Sequence, residues 1–278
     1  MELKRVRRAF VDLPHGQVHL RTAGEGGVPL VMLHASPFSA LVLEPLVARL
    51  GQKRRVIAPD TPGNGDSAPL PIAVPEIADF TASLVHLLDA MGIAQADFYG
   101  AHTGARIAAD LALKHPARVR KLVFDGFGLY TPQALAEILA TYAPEIAPDD
   151  QARHVLWAWH FMRDQHLFFP WFKRDAEHRY TRDMPDAATL HALLLEVLKA
   201  ITTYHRSYRA AFRYSMAEAL PRITHPVLLA FAQDDMVFPK LAEAHALLPG
   251  SVMRPTPGLG TDAAAEETAG IIAAFLDS

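Results

Sequence analysis

The chain has 278 residues, of which 50% are hydrophobic and 21% charged, and this balance excludes disordered and collagen-like proteins. With 27 basic and 30 acidic side chains the net charge is −3, which favours neither nucleic acid nor a polyacidic partner. The absence of cysteine excludes disulfides, a thiolate nucleophile and cysteine-bound zinc. We therefore expect a globular protein whose partner is a small molecule.

The amino-terminal segment carries four basic residues within positions 1–8, but Asp12, Pro14 and His15 follow where a signal peptide would be apolar. No run approaches the roughly 18 to 20 apolar residues of a membrane span. The sequence therefore predicts a cytoplasmic protein with no membrane partner, and it favours no particular oligomeric state.

Two alternating segments, 9–13 and 17–23, flank the turn signal Pro14-His15-Gly16 and predict an antiparallel hairpin. Short apolar runs without alternation then predict strands buried on both faces, at 29–34, 54–59, 96–100, 121–125 and 226–232. Runs with a period near 3.6 residues predict helices, at 43–50, 77–91, 104–115, 240–248 and 263–276. This alternation predicts an α/β fold with a doubly wound, mostly parallel sheet.

Residues 130–219 interrupt the alternation of strands and helices. This stretch has helical periodicity, no convincing strand, and a dense group of Trp, Phe, Tyr and His. It predicts a helical cap, inserted into a core formed by residues 1–129 and 220–278.

Polar and glycine-rich segments directly follow four of the predicted strands. Ligands of open parallel sheets bind beyond the carboxyl ends of the strands, so these segments are the candidates for chemistry. They are 34–37, 60–67, 100–104 and 233–239. In the third, glycines stand on both sides of His102, at the point where a strand passes into a helix.

Together these motifs resemble the α/β-hydrolase superfamily over nearly the whole chain. The resemblance depends on the His-x-x-Pro loop at 34–37, the Asp-x-Pro-Gly-x-Gly-x-Ser loop at 60–67, the elbow at 100–104 and the acid Asp235. Two positions depart from the superfamily pattern. His102 stands where the resemblance implies a serine nucleophile, and Thr261 stands where it implies the catalytic histidine. An ordinary Ser-His-Asp mechanism is therefore not expected.

A histidine is compatible with the elbow, because this residue type tolerates the positive φ that such bends impose. Its imidazole reaches about 2 Å further than a serine hydroxyl. We hypothesise that His102 and Asp235 form a dyad, in which His102 is a general base and less favourably a nucleophile. Asp234 and Asp125 are alternative partners, and Asp235 could equally cap the helix that follows.

The superfamily resemblance also implies an oxyanion hole made by the backbone N–H groups of Ser36 and Thr103. For substrate binding, the sequence offers His34, Trp157, His160 and Phe168, although the cap aromatics fit a hydrophobic core as well as a pocket wall. Histidines at positions 154, 160 and 166 recur every six residues and so cannot share one helix face. We expect neither a metal nor a cofactor.

These features predict an enzyme without a cofactor that acts on a small, partly hydrophobic carbonyl compound. Hydrolysis and lyase-type cleavage both suit a histidine base in such a site. The alternative is a catalytically inactive, hydrolase-like protein that binds a ligand between cap and sheet.

Overall fold

The computed structural model describes residues 3–180 and 183–278, which form eight strands and ten α-helices. The strands are β1 Arg7–Leu13, β2 Gly16–Ala23, β3 Leu30–Leu33, β4 Val56–Pro59, β5 Ala96–Ala101, β6 Val119–Asp125, β7 Val227–Leu229 and β8 Val252–Met253. The helices are α1 Glu44–Leu50, α2 Ile77–Ala90, α3 Thr103–Lys114, α4 Pro132–Thr141, α5 Arg153–Asp164, α6 Ala187–Lys199, α7 Tyr204–Arg213, α8 Met216–Ala219, α9 Leu241–Leu247 and α10 Asp262–Asp277.

All eight strands form one sheet in the order β1-β2-β4-β3-β5-β6-β7-β8. The pairs β1–β2 and β2–β4 are antiparallel and the other five pairs are parallel, which confirms the predicted hairpin and the mostly parallel sheet. Every residue of β3, β4 and β7 is buried, as expected for strands covered on both faces. The carboxyl ends of β3, β5, β6 and β7 therefore meet at one edge of the sheet.

Helices cover both faces of the sheet and enclose two separate hydrophobic clusters. One cluster packs α2 and α3 against the sheet through side chains such as Phe80, Leu84 and Leu111. The other packs α1 and α10 against the opposite face through Leu46, Val47 and Ile272. The predicted doubly wound α/β architecture is confirmed.

Helices α4 to α7 lie between β6 and β7 in the chain and have a hydrophobic cluster of their own. Phe161, Val197 and Tyr204 are fully buried in it. We call α4 to α7 and their connections the inserted helices. The division at residues 130 and 219 stays a prediction.

Within the described residues, no helix combines the length and the hydropathy that crossing a bilayer requires.

Candidate active site

A sharp bend joins β5 to α3, and His102 stands at its tip. His102 has φ 48° and ψ −99°, a left-handed backbone that costs a residue other than glycine about 1–3 kcal/mol. The glycines beside it permit a close approach, since a Cβ on Gly104 would lie 2.1 Å from the carbonyl oxygen of Leu33. A Cβ on Gly100 would lie 2.5 Å from the carbonyl oxygen of Gly104. The local sequence thus fixes the bend and presents the imidazole at the carboxyl edge of the sheet.

The imidazole of His102 contacts Asp235, which lies in the loop after β7. His102 Nε2 is 2.8 Å from Asp235 Oδ2, while Asp235 Oδ1 accepts a hydrogen bond of 2.8 Å from the backbone N–H of Val237. The other two candidate partners are placed differently. Asp234 is exposed and lies beside Gly258, and Asp125 accepts a hydrogen bond from Tyr99. The geometry therefore favours Asp235 as the partner of His102.

The surroundings of His102 favour its protonated form. Burial by itself lowers the pKa of this histidine, but the charge of Asp235 and the hydrogen bond to it outweigh burial. Arg106 opposes this effect and Asp125 adds to it. The net result is a pKa above the usual value of a histidine, as for a base that holds a proton firmly once it has taken it.

Asp125 lies at the end of β6 and has partners of its own. Tyr99 donates a hydrogen bond of 2.5 Å to Oδ2, and the backbone N–H of Ala232 donates one of 3.2 Å to Oδ1. Burial, aided by the repulsion of Asp235, raises the pKa of Asp125 to about 6. The charge of this carboxylate is thus poorly tolerated at neutral pH.

We expect Asp125→Asn to stabilise the protein at pH 8 and to change its stability little at pH 4. A carboxyl whose folded pKa is raised stabilises the fold below its unfolded pKa, near 3.8, and loses that contribution as the pH rises to about 6. The loss is of the order of 2–3 kcal/mol for a shift of about two units. Asparagine has no charge to bury, and its Oδ1 can still accept a hydrogen bond as the carboxylate does. Urea unfolding at the two pH values measures the difference in free energy of unfolding between variant and wild type. A variant that is less stable than the wild type at pH 8 contradicts the prediction.

His102 opens onto a cavity of about 140 Å³ between the sheet edge and the inserted helices. This volume lies below the roughly 300–1,000 Å³ of pockets for drug-sized ligands and near that of an engineered cavity that admits benzene. From the core side, the cavity is lined by Ala35, Ser36, Phe38, His102, Thr103, Arg106 and Met236. From the other side it is lined by Tyr130, Tyr142, Gln165, His166, Phe169, Tyr208, Ala211 and Phe212. The walls are largely aromatic, so a small, partly apolar ligand suits them.

The two residues that the superfamily resemblance assigns to an oxyanion hole, Ser36 and Thr103, both line this cavity. Thr103 is the first residue of α3, where backbone N–H groups have no partner within the helix. The side chain of Ser36 lies 2.8 Å from Ser207 Oγ on α7, and Ser207 donates a bond of 3.0 Å to Asn64 Oδ1. A buried chain of hydrogen bonds thus ties the Ser36 loop to the inserted helices.

Ser207→Ala should destabilise the protein by about 1–3 kcal/mol, because it removes a partner from the buried hydroxyl of Ser36 and from Asn64. Ser83→Ala is the matched control. Ser83 is also buried, but among the described residues its hydroxyl contacts His15 at 3.4 Å, a long distance for a hydrogen bond. Chemical unfolding of both variants measures the difference, and equal losses would show that the Ser36–Ser207 contact contributes nothing.

The four residues that the sequence offered for substrate binding lie outside the lining of this cavity. His34 is fully buried, with Nδ1 at 2.9 Å from the carbonyl of Ala35 and Nε2 accepting from the N–H of Thr61, so it orders the loops. Trp157 stacks on Phe161 inside the cluster of the inserted helices. His160 is exposed, and Phe168 forms an isolated bridge with Arg179. Their assignment to substrate binding stays a prediction, and the residues that line the cavity are further candidates.

Thr261 is exposed and caps α10, accepting a hydrogen bond of 3.1 Å from the N–H of Ala264.

Three potential metal-ligand atoms lie within 4.8 Å of one another, one each from His19, Asp60 and Asp66. The Asp60 carboxylate accepts from His19 and from the backbone N–H of Asp66, so this group is already held together by protein contacts.

Sequence reasoning missed Arg106, which lines the cavity and is 4% exposed. It stands four residues after His102 at the start of a helix, and this spacing puts two side chains on one helix face. An arginine one helical turn after the elbow residue was therefore a usable signal. The aromatic residues of the cavity carried no such signal, because in sequence they are indistinguishable from core aromatics.

Comparison with known proteins shows the family from the sequence and the fold from the structure. A family model described as alpha/beta hydrolase fold matches residues 28–251. A 2-hydroxymuconate semialdehyde hydrolase of Pseudomonas putida is 37% identical over 136 residues, which are 47% of this chain and 48% of that protein. A 2-hydroxy-6-oxononadienedioate/2-hydroxy-6-oxononatrienedioate hydrolase from the same organism is 36% identical over 132 residues, 45% of this chain and 44% of that one. The chain thus matches about half the length of these relatives.

Among solved structures, an enol-lactonase from Burkholderia xenovorans LB400 superposes with a TM-score of 0.75 at 17% identity. That alignment covers 97% of this chain and all of the lactonase. An identity this low shows a shared fold alone. Because the family model spans most of the sheet and the elbow with it, the chain belongs to the alpha/beta hydrolase fold family.

Proposed function

We propose that this protein is a hydrolase of small, partly hydrophobic carbonyl compounds, in which His102 is the general base. The observation that carries the proposal is the 2.8 Å contact between His102 Nε2 and Asp235 at the wall of an aromatic cavity. A carboxylate on Nε2 accepts that ring proton and leaves Nδ1 to take a proton from water. Asp235 then stabilises the imidazolium that results.

The proposed reaction uses water, the side chain of His102 and two backbone N–H groups. His102 removes a proton from water, and the hydroxide oxygen forms a bond to the substrate carbonyl carbon. The negative charge that develops on the carbonyl oxygen lies near the start of α3, where the N–H groups of Thr103 and Ser36 are suited to stabilise it. The intermediate then collapses, the bond to the leaving group breaks, and the leaving group takes the proton from His102.

The relatives support hydrolysis over a binding role. Two of the relatives that match about half of this chain are named as hydrolases, one of 2-hydroxymuconate semialdehyde and one of 2-hydroxy-6-oxononadienedioate/2-hydroxy-6-oxononatrienedioate. The raised pKa of His102 fits a base that must retain a proton through the reaction. The compound in the name of the first relative, 2-hydroxymuconate semialdehyde, is therefore one member of the panel to be tested.

Incubation in H₂¹⁸O tests the proposal. The panel contains 2-hydroxymuconate semialdehyde, small aryl esters and enol-lactones, with mass spectrometry of the products. We expect one ¹⁸O atom in the acid product of at least one compound with the wild type and not with His102→Asn. A product without ¹⁸O would indicate lyase chemistry. Turnover of no compound, together with a ligand that binds unchanged, would replace the proposal with the ligand-binding alternative.

A further inference from the structure

Arg106 is a buried cation on the wall of the cavity. It lies in the first turn of α3, is 4% exposed, and lines the same cavity as His102. The guanidinium carries five N–H donors and stays protonated in proteins. Its position therefore places a fixed positive charge beside the proposed reaction centre.

The partners of this guanidinium are neutral. Nη1 donates a hydrogen bond of 3.0 Å to the carbonyl of His102, and Nη2 donates one of 3.2 Å to the carbonyl of Gly128. Nε is buried without a hydrogen-bond partner among the described residues. No carboxylate of the residues that the structure describes forms an ion pair with Arg106. Burial lowers the pKa of Arg106, and the phenols of Tyr130 and Tyr214 partly offset that effect.

Arg54 shows how this protein treats a buried arginine elsewhere. Arg54 is 6% exposed and pairs with the carboxylates of Asp97 and Asp277. Burying a charge is costly unless an opposite charge compensates for it. The carboxylates near the cavity are already occupied, because Asp235 contacts His102 and Asp125 contacts Tyr99. The charge of Arg106 thus lacks the compensation that Arg54 has.

We propose that Arg106 is the anion-binding residue of the cavity and that the substrate carries a carboxylate. This inference rests on the proposed function, since it specifies which carbonyl compounds the site takes. A guanidinium suits a carboxylate in geometry as well as in charge. The aromatic walls and the volume of about 140 Å³ fit a carboxylate attached to a single ring or to a short chain.

Benzoate and benzamide are the probes, because they have nearly the same shape and differ in charge. Their dissociation constants are measured by calorimetry on the wild type, Arg106→Met, Arg106→Lys and Arg213→Met. Arg213 is the control arginine, since it pairs with Glu76 on the outside of α7. We expect the wild type and Arg213→Met to bind benzoate about 10- to 100-fold more tightly than benzamide, the ratio that one charge-assisted hydrogen bond supplies. Arg106→Met should lose this preference and Arg106→Lys should retain part of it.

The outcomes separate this proposal from the proposed function. Equal affinities for the two probes in the wild type, or no binding of either, would overturn the carboxylate assignment even if Arg106→Met failed to fold. An unchanged preference in Arg106→Met would overturn the role of Arg106. His102→Asn should keep the preference while it loses turnover, so an error about the base leaves the anion result intact. Preserved turnover in His102→Asn overturns the general base alone.

Discussion

His102→Asn is expected to lower kcat by about 10²- to 10⁴-fold, the contribution that a positioned general base makes. Asparagine is a better replacement than most other residues, because it tolerates the positive φ of 48° at the elbow and they would add backbone strain there. It also cannot take up a proton at neutral pH. Steady-state kinetics on a compound turned over by the wild type measures the loss, with thermal unfolding to verify the fold.

His102→Gly and Ala152→Gly separate chemistry from backbone strain in this experiment. Both residues have positive φ, but Ala152 lies in the connection before α5 and lines no part of the cavity. Glycine should therefore relieve backbone strain at either position, and the relief should add about 1–3 kcal/mol at most to the free energy of unfolding. Only the change at 102 should remove activity. A His102→Asn protein that keeps its fold and more than a tenth of wild-type kcat would contradict the general-base role.

Much of the fold was predictable because it depends on short-range patterns. Strands such as β3 and β7 are continuous apolar runs between turn signals, and α2 and α3 have a clear helical period. The missed strand, β8, consists of two exposed residues at the sheet edge, so it lacks the apolar run that identifies buried strands. Its pairing depends on β7 beside it and has no signature of its own.

The candidate site was predictable where it follows the strand ends and less so where it depends on packing. His102 and Asp235 each stand directly after a predicted strand, and parallel strands bring such residues together. No comparable rule predicts which residues of the inserted helices face the cavity. Whether Trp157 or Tyr208 faces the cavity depends on how α5 and α7 pack, and both types of residue look alike in an aromatic-rich sequence.

The substitution of histidine for serine at the elbow also changes where the charge of the site lies. An acid beside the elbow residue would orient a separate histidine in a three-residue site, whereas here Asp235 contacts the elbow residue itself. The residue that takes up the proton is thus in direct contact with the carboxylate that stabilises its charge. Activity should then depend on the pH through the elbow residue alone, unless another group near it titrates in the same range.

Asp235→Asn should both lower kcat/KM by roughly 10²- to 10⁴-fold and move its pH profile. A general base is active when unprotonated, so wild-type kcat/KM should rise as the pH increases through the pKa of His102, which lies above its usual value. Without the carboxylate, burial and the nearby charge of Arg106 lower that pKa. The rise should therefore occur at lower pH in the variant, although its plateau is lower.

Two controls identify which group is responsible for the profile. Asp125 also lies near His102 and has a pKa of about 6, so Asp125→Asn shows whether it causes part of the rise. Asp234→Asn makes the same change of charge one residue from Asp235, on an exposed side chain, and should leave the profile close to that of the wild type. If Asp235→Asn keeps the wild-type profile, or if Asp125→Asn alone moves it, the carboxylate that governs His102 is not Asp235. The dyad would then be a structural contact, and the base would have to be sought among the other groups that line the cavity.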